Sequence, residues 1–296
     1  MYHIVLSTAL GIRAMIDEMS ESDERDTFAE LSALNDFMDE LGQIAGYALP
    51  KDIDGLFHRA WEICLLASKN TRIAPQDQWK RWSEVRQRVN EVRLSLAAAH
   101  YHYDNVAQIE ERVSGLCQRY RNTSFLRAGG ITSPGTTSRL SFEYHAFVFA
   151  ATRCLLYLSA AVGRAWDRRC PNLKSLKGLL STPVDARSGK EELLSILQAH
   201  ANALETMFSR ETKRSIRDWI AHESFLHAGA FQIAKGNWHM KGALEKVFAH
   251  VDTGNQNLYR LSDVMINQLH QVEEFVVEMI TALEKYRLPK VPGWSE

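Results

Sequence analysis

What this chain has little of narrows it first. It holds only four cysteines in 296 residues, Cys64, Cys117, Cys154 and Cys170, far apart and without a C-x-x-C pair. That spacing argues against a zinc site or a disulfide framework and leaves reduced, buried thiols. No apolar run approaches the roughly 20 residues that a bilayer-spanning helix needs. The start, Met1-Tyr2-His3-Ile4-Val5-Leu6, is too short for a signal h-region and lacks a basic lead, so a cytoplasmic protein is expected. There is no H-E-x-x-H, no phosphate-cradling P-loop, no G-x-G-x-x-G and no G-x-S-x-G elbow. Of the 11 histidines, none has Glu three residues earlier, which removes the Glu-x-x-His pairs of di-iron bundles. His100 and His102 diverge by about 160° on a helix and are poorly placed to share a metal.

What is present is helical. Hydrophobic residues make up 45% and charged ones 24%, with only 7 prolines and 16 glycines, the balance of a globular chain large enough for one big domain or two smaller ones. After Pro75 an apolar series runs Trp79, Trp82, Val85, Val89, Val92, Leu96, Tyr103, Val106, Ile109, Val113, Leu116, Tyr120, mostly in steps of three and four with Ala99 filling the gap. This predicts one helix over 76–121 of about 68 Å, too long to bury its stripe against one short neighbour. Residues 24–46 and 52–70 are its intrachain partners, with a second chain as the other way to cover it. Residues 127–139, rich in Gly, Pro, Ser and Thr, read as a loop, and 168–189, with Pro171, Pro183 and Gly189, as another. The expected organisation is an N-terminal helical region over 1–126, a loop at 127–139 and a helical domain over 140–296.

In the C-terminal part, Ser141 is placed to cap a helix with apolar Phe142, Phe149, Leu156 and Val162 that ends near Ala165. A second helix begins around Glu191 and runs towards Ile216 and Ile220. Ala230-Phe231-Gln232-Ile233-Ala234 alternates, Lys235-Gly236-Asn237 can turn, and Trp238-His239-Met240 is placed to return as the second strand of a small hairpin. Leu258 to Tyr286 supplies a last helix. The fold class is all-α with that hairpin.

Net charge is −1, unevenly spread: residues 1–126 hold 14 Lys+Arg against 19 Asp+Glu, and 127–296 hold 21 against 17. Between 153 and 190, Arg153, Arg164, Arg168, Arg169, Lys174, Lys177, Arg187 and Lys190 face only Asp167 and Asp185. Such an excess suits a phosphate-bearing partner, and it equally suits a solvated basic loop.

Arg217-Asp218-Trp219-Ile220-Ala221-His222 adds chemistry to the charge. On a helix Asp218 and His222 are i and i+4 and share a face, so the carboxylate can hold the imidazole in one tautomer or raise its basicity. Arg217 lies about 140° round the axis from His222 and flanks it. A cation beside an oriented acid/base group is what cleavage of a phosphodiester needs, because charge builds on the phosphoryl oxygens. The alternative is structural pairing, with Asp218 bridging His222 and Arg217 bridging Glu211, Glu223 or a neighbouring helix.

R-D-x-x-x-H followed by Glu223 resembles the R-(polar)-x-x-x-H motif of the HEPN superfamily, helical proteins that include many metal-independent ribonucleases. The likeness extends over roughly 140–286, from the helix opening Phe142-Glu143-Tyr144-His145-Ala146-Phe147 through a loop to the motif helix and a closing helix. It implies an endoribonuclease with Arg217, Asp218 and His222 as catalytic residues, duplicated across a homodimer to form a composite cleft. Lys213, Arg214, Arg164, Arg168 and Arg169 would then contact RNA. One imidazole takes the 2′-hydroxyl proton, Arg217 steadies the phosphorane oxygens, and the products are a 2′,3′-cyclic phosphate and a 5′-hydroxyl, with no metal or cofactor required. Members often act as toxins or in phage defence, some neutralised by an antitoxin or a nucleotidyltransferase-like partner. Asp218 stands where Asn is more frequent, which would raise the His222 pKa and weaken it as a base. The competing expectation is a non-catalytic helical scaffold that binds RNA, a nucleotide or another protein.

Overall fold

The computed structural model describes residues 49–70, 73–75, 78–122, 131–133, 137–182, 189–208, 229–234, 237–241 and 259–291. The chain divides into two compact units, Met1–Ala48 and Leu49–Glu296, and all the described residues belong to the second. In order these are α1 (Lys51–Lys69), α2 (Trp79–Tyr120), β1 (Ile131–Ser133), α3 (Ser138–Ala165), α4 (Leu173–Leu180), α5 (Lys190–Phe208), β2 (Ala230–Ala234), β3 (Asn237–Lys241) and α6 (Leu261–Tyr286). The fold is all-α with a small antiparallel sheet, as the sequence predicts.

The 42-residue α2 is the spine. Its fully buried positions, Val85, Val89, Val92, Leu96, Ala99 and Val106, follow steps of four and three before a final step of seven, the spacing of a coiled-coil seam. Covering it takes three helices. α1 lies antiparallel along its first half, pinned by Arg93 Nε donating to Asp54 Oδ1 at 2.6 Å and by Arg86 over the Trp61 ring at 5.5 Å. α3 runs antiparallel along most of its length: Glu84 pairs with Arg164, Cys154 Sγ donates to Val92 O at 3.7 Å, and His102 meets Glu143. α6 is antiparallel to α2 as well, from Glu110 against Leu261 to His100 facing Glu273. Intrachain packing therefore covers the middle of the predicted stripe, from Trp82 to Val106, while Trp79, Leu116 and Tyr120 at its ends are exposed; residues 24–46, the other expected partner, lie outside the described residues.

Four expectations change on this scaffold. The boundary expected at 127–139 does not separate two packing units, because α1 and α2 share one core with α3 and α6. Within that stretch Ile131–Ser133 pairs with Phe231–Ile233 as an edge strand. The loop expected over 168–189 contains α4, started by a capping box in which Asn172 Oδ1 accepts from Ser175 N at 2.9 Å and Ser175 Oγ accepts from Asn172 N at 3.2 Å. Finally, α3 begins at Ser138, so Ser141 lies inside it, with its hydroxyl donating back to Thr137 O at 3.2 Å.

The inward face of α3 also differs from expectation. Leu140, Tyr144, Phe147, Ala151, Cys154, Leu158 and Val162 are buried, whereas Phe142, Phe149 and Leu156 are exposed. α3 is apolar nearly all round, so periodicity could not choose between the stripes. By length and composition alone it could cross a membrane, contrary to the sequence reading, and most of that stretch is buried in the bundle.

The hairpin β2–β3 pairs Ala230 with Lys241 through Ala234 with Asn237. It docks through Trp238, whose indole N–H donates to Ser114 Oγ at 2.8 Å and whose ring carries the Arg260 guanidinium at 4.6 Å. Met240 and Tyr259 exchange two backbone hydrogen bonds beside it, at 2.8 and 3.1 Å.

Glu110 joins these pieces. It extends the α2 seam by four residues beyond Val106, yet is only 2% exposed. Its carboxylate caps α6: Oε1 accepts from Leu261 N at 2.8 Å and Ser262 N at 3.3 Å, and Oε2 from the Ser262 hydroxyl. No side chain of α6's own N-cap residue, Arg260, does this. Burial pushes the Glu110 pKa up, against the three hydrogen bonds and Arg260, which pull it down.

Two outcomes follow. Glu110→Ala should cost about 2 kcal/mol in urea denaturation, because it leaves buried helix N–H groups without an acceptor. A raised folded-state pKa favours the protonated form. The Glu110 contribution is therefore full below the unfolded-state value of about 4.3 and is lost as pH rises through the raised folded-state value. Glu110→Gln, which keeps an acceptor, should lack that fall when stability is compared with wild type across the same pH range.

Candidate functional site

The five residues that the motif and its neighbourhood single out, Arg217, Asp218, His222, Lys213 and Arg214, lie outside the described residues, as does Arg187. The helix that leads towards them, α5, is described up to Phe208. It runs antiparallel to α6, with Glu192 beside Lys285 and His200 beside Glu278 at 3.2 Å.

The expected RNA-contacting cations that are described sit where three helices end. α3 stops in a complete Schellman turn. Arg168 N donates to Gly163 O at 2.9 Å and Asp167 N to Arg164 O at 2.9 Å, with Asp167 in the left-handed region at φ 55°. This turn separates the three arginines in role. Arg164 faces back along the bundle and is held by Glu84 and, at 3.7 Å, by Asp167. Arg168 and Arg169 point outward as exposed residues.

Two glycines let other chain segments close on the same end. A Cβ on Gly163 would stand 2.7 Å from Cys170 Cβ and 3.0 Å from Arg168 O. Gly189 has φ 70°, and a Cβ there would stand 2.4 Å from Tyr286 Cβ. The first contact folds the 168–170 segment onto α3, and the second seats the start of α5 on the end of α6. The next residue of α6's exit, Arg287, donates from Nε to Ala165 O at 2.7 Å and lies over the Trp166 ring at 5.3 Å.

This closure brings together charges of one sign. Lys190, the first residue of α5, is only 6% exposed. Burial lowers its pKa, and Arg168 and then Arg287 lower it further. Burial likewise lowers that of Arg287, with Arg81 adding to it. Arg81 reaches in from the start of α2, stacked 4.7 Å from the Trp82 ring centroid; its Nη2 donates to Gln78 Oε1, and its Nε is buried without an acceptor. Chemically this end can receive an anion. The sequence reading found Arg164, Arg168 and Arg169 by local charge density. It missed Arg287 and Arg81, which are distant in sequence, and counted Lys190 only as part of a basic stretch.

A second polar group lies midway along α2. His102 Nδ1 meets Glu143 Oε2 at 2.7 Å, and Asn105 Nδ2 donates to the same oxygen at 3.2 Å. The carboxylate thus holds the imidazole in one tautomer, the arrangement that the sequence assigns to Asp218 and His222. His100 points to the other side of α2, 3.6 Å from Glu273. Burial pushes the imidazole of His100 down and the carboxyl of Glu273 up, so both tend to neutrality. Among the described residues no three His, Cys, Asp or Glu side chains gather to hold a metal. The four cysteines are free and buried, and burial pushes the Cys64 thiol up to about 12.

Gly189→Ala should lower stability by about 2 kcal/mol, through left-handed strain and the clash with Tyr286. Thermal unfolding reads this directly.

No protein-family model, no curated protein and no solved structure matches this chain, so its functional reading rests on its own residues.

Proposed function

We propose that this chain is a HEPN-like, metal-independent endoribonuclease in which Arg217, Asp218 and His222 cleave RNA by attack of the 2′-hydroxyl. The observation that carries the reading is the R-D-x-x-x-H sequence itself, an arginine, a carboxylate and an imidazole at the spacing of one helix. The cluster of Arg168, Lys190 and Arg287 supports it independently, since a phosphate-bearing substrate needs cations on the same molecule. In this reading Asp218 orients His222, and Arg217 stabilises the charge on the phosphorane. A second copy of the chain supplies the second motif, so that one imidazole accepts the 2′-hydroxyl proton and another protonates the leaving 5′-oxygen. Arg168 and Arg169 are the described cations free to contact RNA, since Arg164 is already occupied by Glu84. A role as a toxin or in phage defence, with a neutralising partner, belongs to the same proposal.

A second reading is favoured by a different observation. Phe142, Phe149 and Leu156 recur every seven residues along α3 and are 60%, 41% and 37% exposed. An apolar stripe of that kind suits a helical scaffold that docks another protein. Both readings are separated by one assay. Wild-type chain incubated with mixed cellular RNA in EDTA should cleave it and leave 2′,3′-cyclic phosphate ends, while DNA survives. His222→Ala and Arg217→Ala should each lose at least about a hundredfold in rate. No cleavage by any of the three, with all folded, favours the scaffold. Equal cleavage by all three would mean that the motif is not the active site.

A further inference from the structure

We propose that the exposed face of α3 is a docking seam for an acidic amphipathic helix of another protein. The inference deepens the scaffold reading above and rests on the apolar stripe named there. After Ser138, the exposed residues of α3 are Arg139, Phe142, Phe149, Arg153 and Leu156. They advance by three, seven, four and three, and half-buried Ala146 divides the seven into four and three. This is one continuous heptad seam, with Phe142, Phe149 and Leu156 at one core position and Arg139, Ala146 and Arg153 at the other. From Phe142 to Leu156 it spans about 21 Å. The same kind of seam on α2 is packed inside the bundle, whereas this one faces outward. The neighbouring helix widens it. α2 and α3 pair antiparallel, with Val92 opposite Cys154 and His102 opposite Glu143. That register sets Leu94 and Tyr101, also seven residues apart and exposed, alongside the stretch from Phe142 to Arg153. Large apolar side chains gathered on two adjoining helices differ from the single ones that a surface ordinarily carries.

Charge selects the occupant. Arg139 and Arg153 stand on the centre line of the seam, two heptads apart. The carboxylates beside the seam are engaged elsewhere. Glu143, the single acid of α3, is held by His102 and Asn105, and Glu91 of α2 by Arg88 and Gln87. An apolar helix laid over either arginine would strand a charge. A helix that covers the seam must therefore bring large apolar residues at heptad spacing and carboxylates two heptads apart to meet both cations. A second copy does not supply them, because α3 laid on α3 brings four arginines and only the engaged Glu143. A membrane surface fits no better. Helices that lie in an interface keep their cations on the polar face, whereas Arg153 stands between Phe149 and Leu156 in the apolar one.

The test uses the full chain and two labelled synthetic helical peptides, each about four heptads long with leucine seams. One carries Glu at two seam positions two heptads apart, and the other carries Lys there. Fluorescence anisotropy should show the acidic peptide bound at least about tenfold more tightly than the basic one. Arg153→Glu should reverse that preference. Phe149→Asp should abolish binding of both peptides with Tm unchanged, since Phe149 lies outside the core. Binding of neither peptide to wild type overturns the inference. Equal binding of the two overturns the acidic partner and leaves the scaffold reading in place. Cleavage of RNA by the wild type would instead sink the non-catalytic scaffold and leave peptide binding to be judged by itself. A wild-type dimer that Phe149→Asp dissociates in sedimentation would overturn the inference in favour of a second copy. Phosphatidylserine vesicles or single-stranded RNA, bound by wild type and lost in the same variant while the acidic peptide fails to bind, would assign the seam to a membrane or a nucleic acid. Should Phe149→Asp fail to fold, the reversal by Arg153→Glu at an exposed position decides alone.

Discussion

The carboxylate of Glu110 is the constraint on which this bundle turns. The core seam of α2 is built from aliphatic side chains, and such a seam alone tolerates sliding of a neighbouring helix by a turn. Glu110 removes that freedom. By accepting the first two N–H groups of α6 and the Ser262 hydroxyl, it fixes where α6 begins relative to the spine. From there α6 is committed for 26 residues, about 39 Å, with Val272, Phe275, Val276, Met279 and Ile280 fully buried. Its far end delivers Arg287 to the last turn of α3. One buried hydrogen-bonded acid therefore sets the position of a cation at the opposite end of α6.

That opposite end shows why cations gather where helices stop. The carbonyl groups closing α3 lack helical partners, and Arg287 satisfies one of them while the Schellman turn satisfies two more. A cation at a helix C-terminus is stabilised by the dipole. Arg287 and Arg164 thus have structural explanations inside the fold. Lys190 opens α5, the end where the dipole disfavours a cation, and its stem packs into the bundle.

Much of the architecture was legible in one dimension. The seam of α2 follows from the steps among Val85, Val89, Val92 and Leu96, and the end of α3 near Ala165 from the change in composition there. The hairpin follows from alternation at Ala230–Ala234 and a turn-forming Lys-Gly-Asn. These are local signals, carried by side-chain period and backbone preference. Less legible was α4, where two prolines suggested a loop and the Asn172-x-x-Ser175 box was passed over. Glu110 was missed as well, although it continues the series Val89, Leu96, Tyr103 at intervals of seven. A charged residue on that register signals a buried acid with a partner, and the apolar neighbours Ile109 and Val113 masked it.

Sequence by itself determined the class of fold and the lengths of the long helices, because each depends on contacts within a few turns. Tertiary structure decided the rest. It chose which face of α3 is inside, since a helix apolar on every side carries no local instruction and only its neighbours break the tie. It placed α1 and α2 in the same core as the helices after residue 137, because helix pairing depends on seam complementarity and not on distance along the chain. It also brought Arg81, Arg168, Lys190 and Arg287 to one place, from four separate elements. Electrostatic character depends on separation in space, and no pattern along the sequence encodes it.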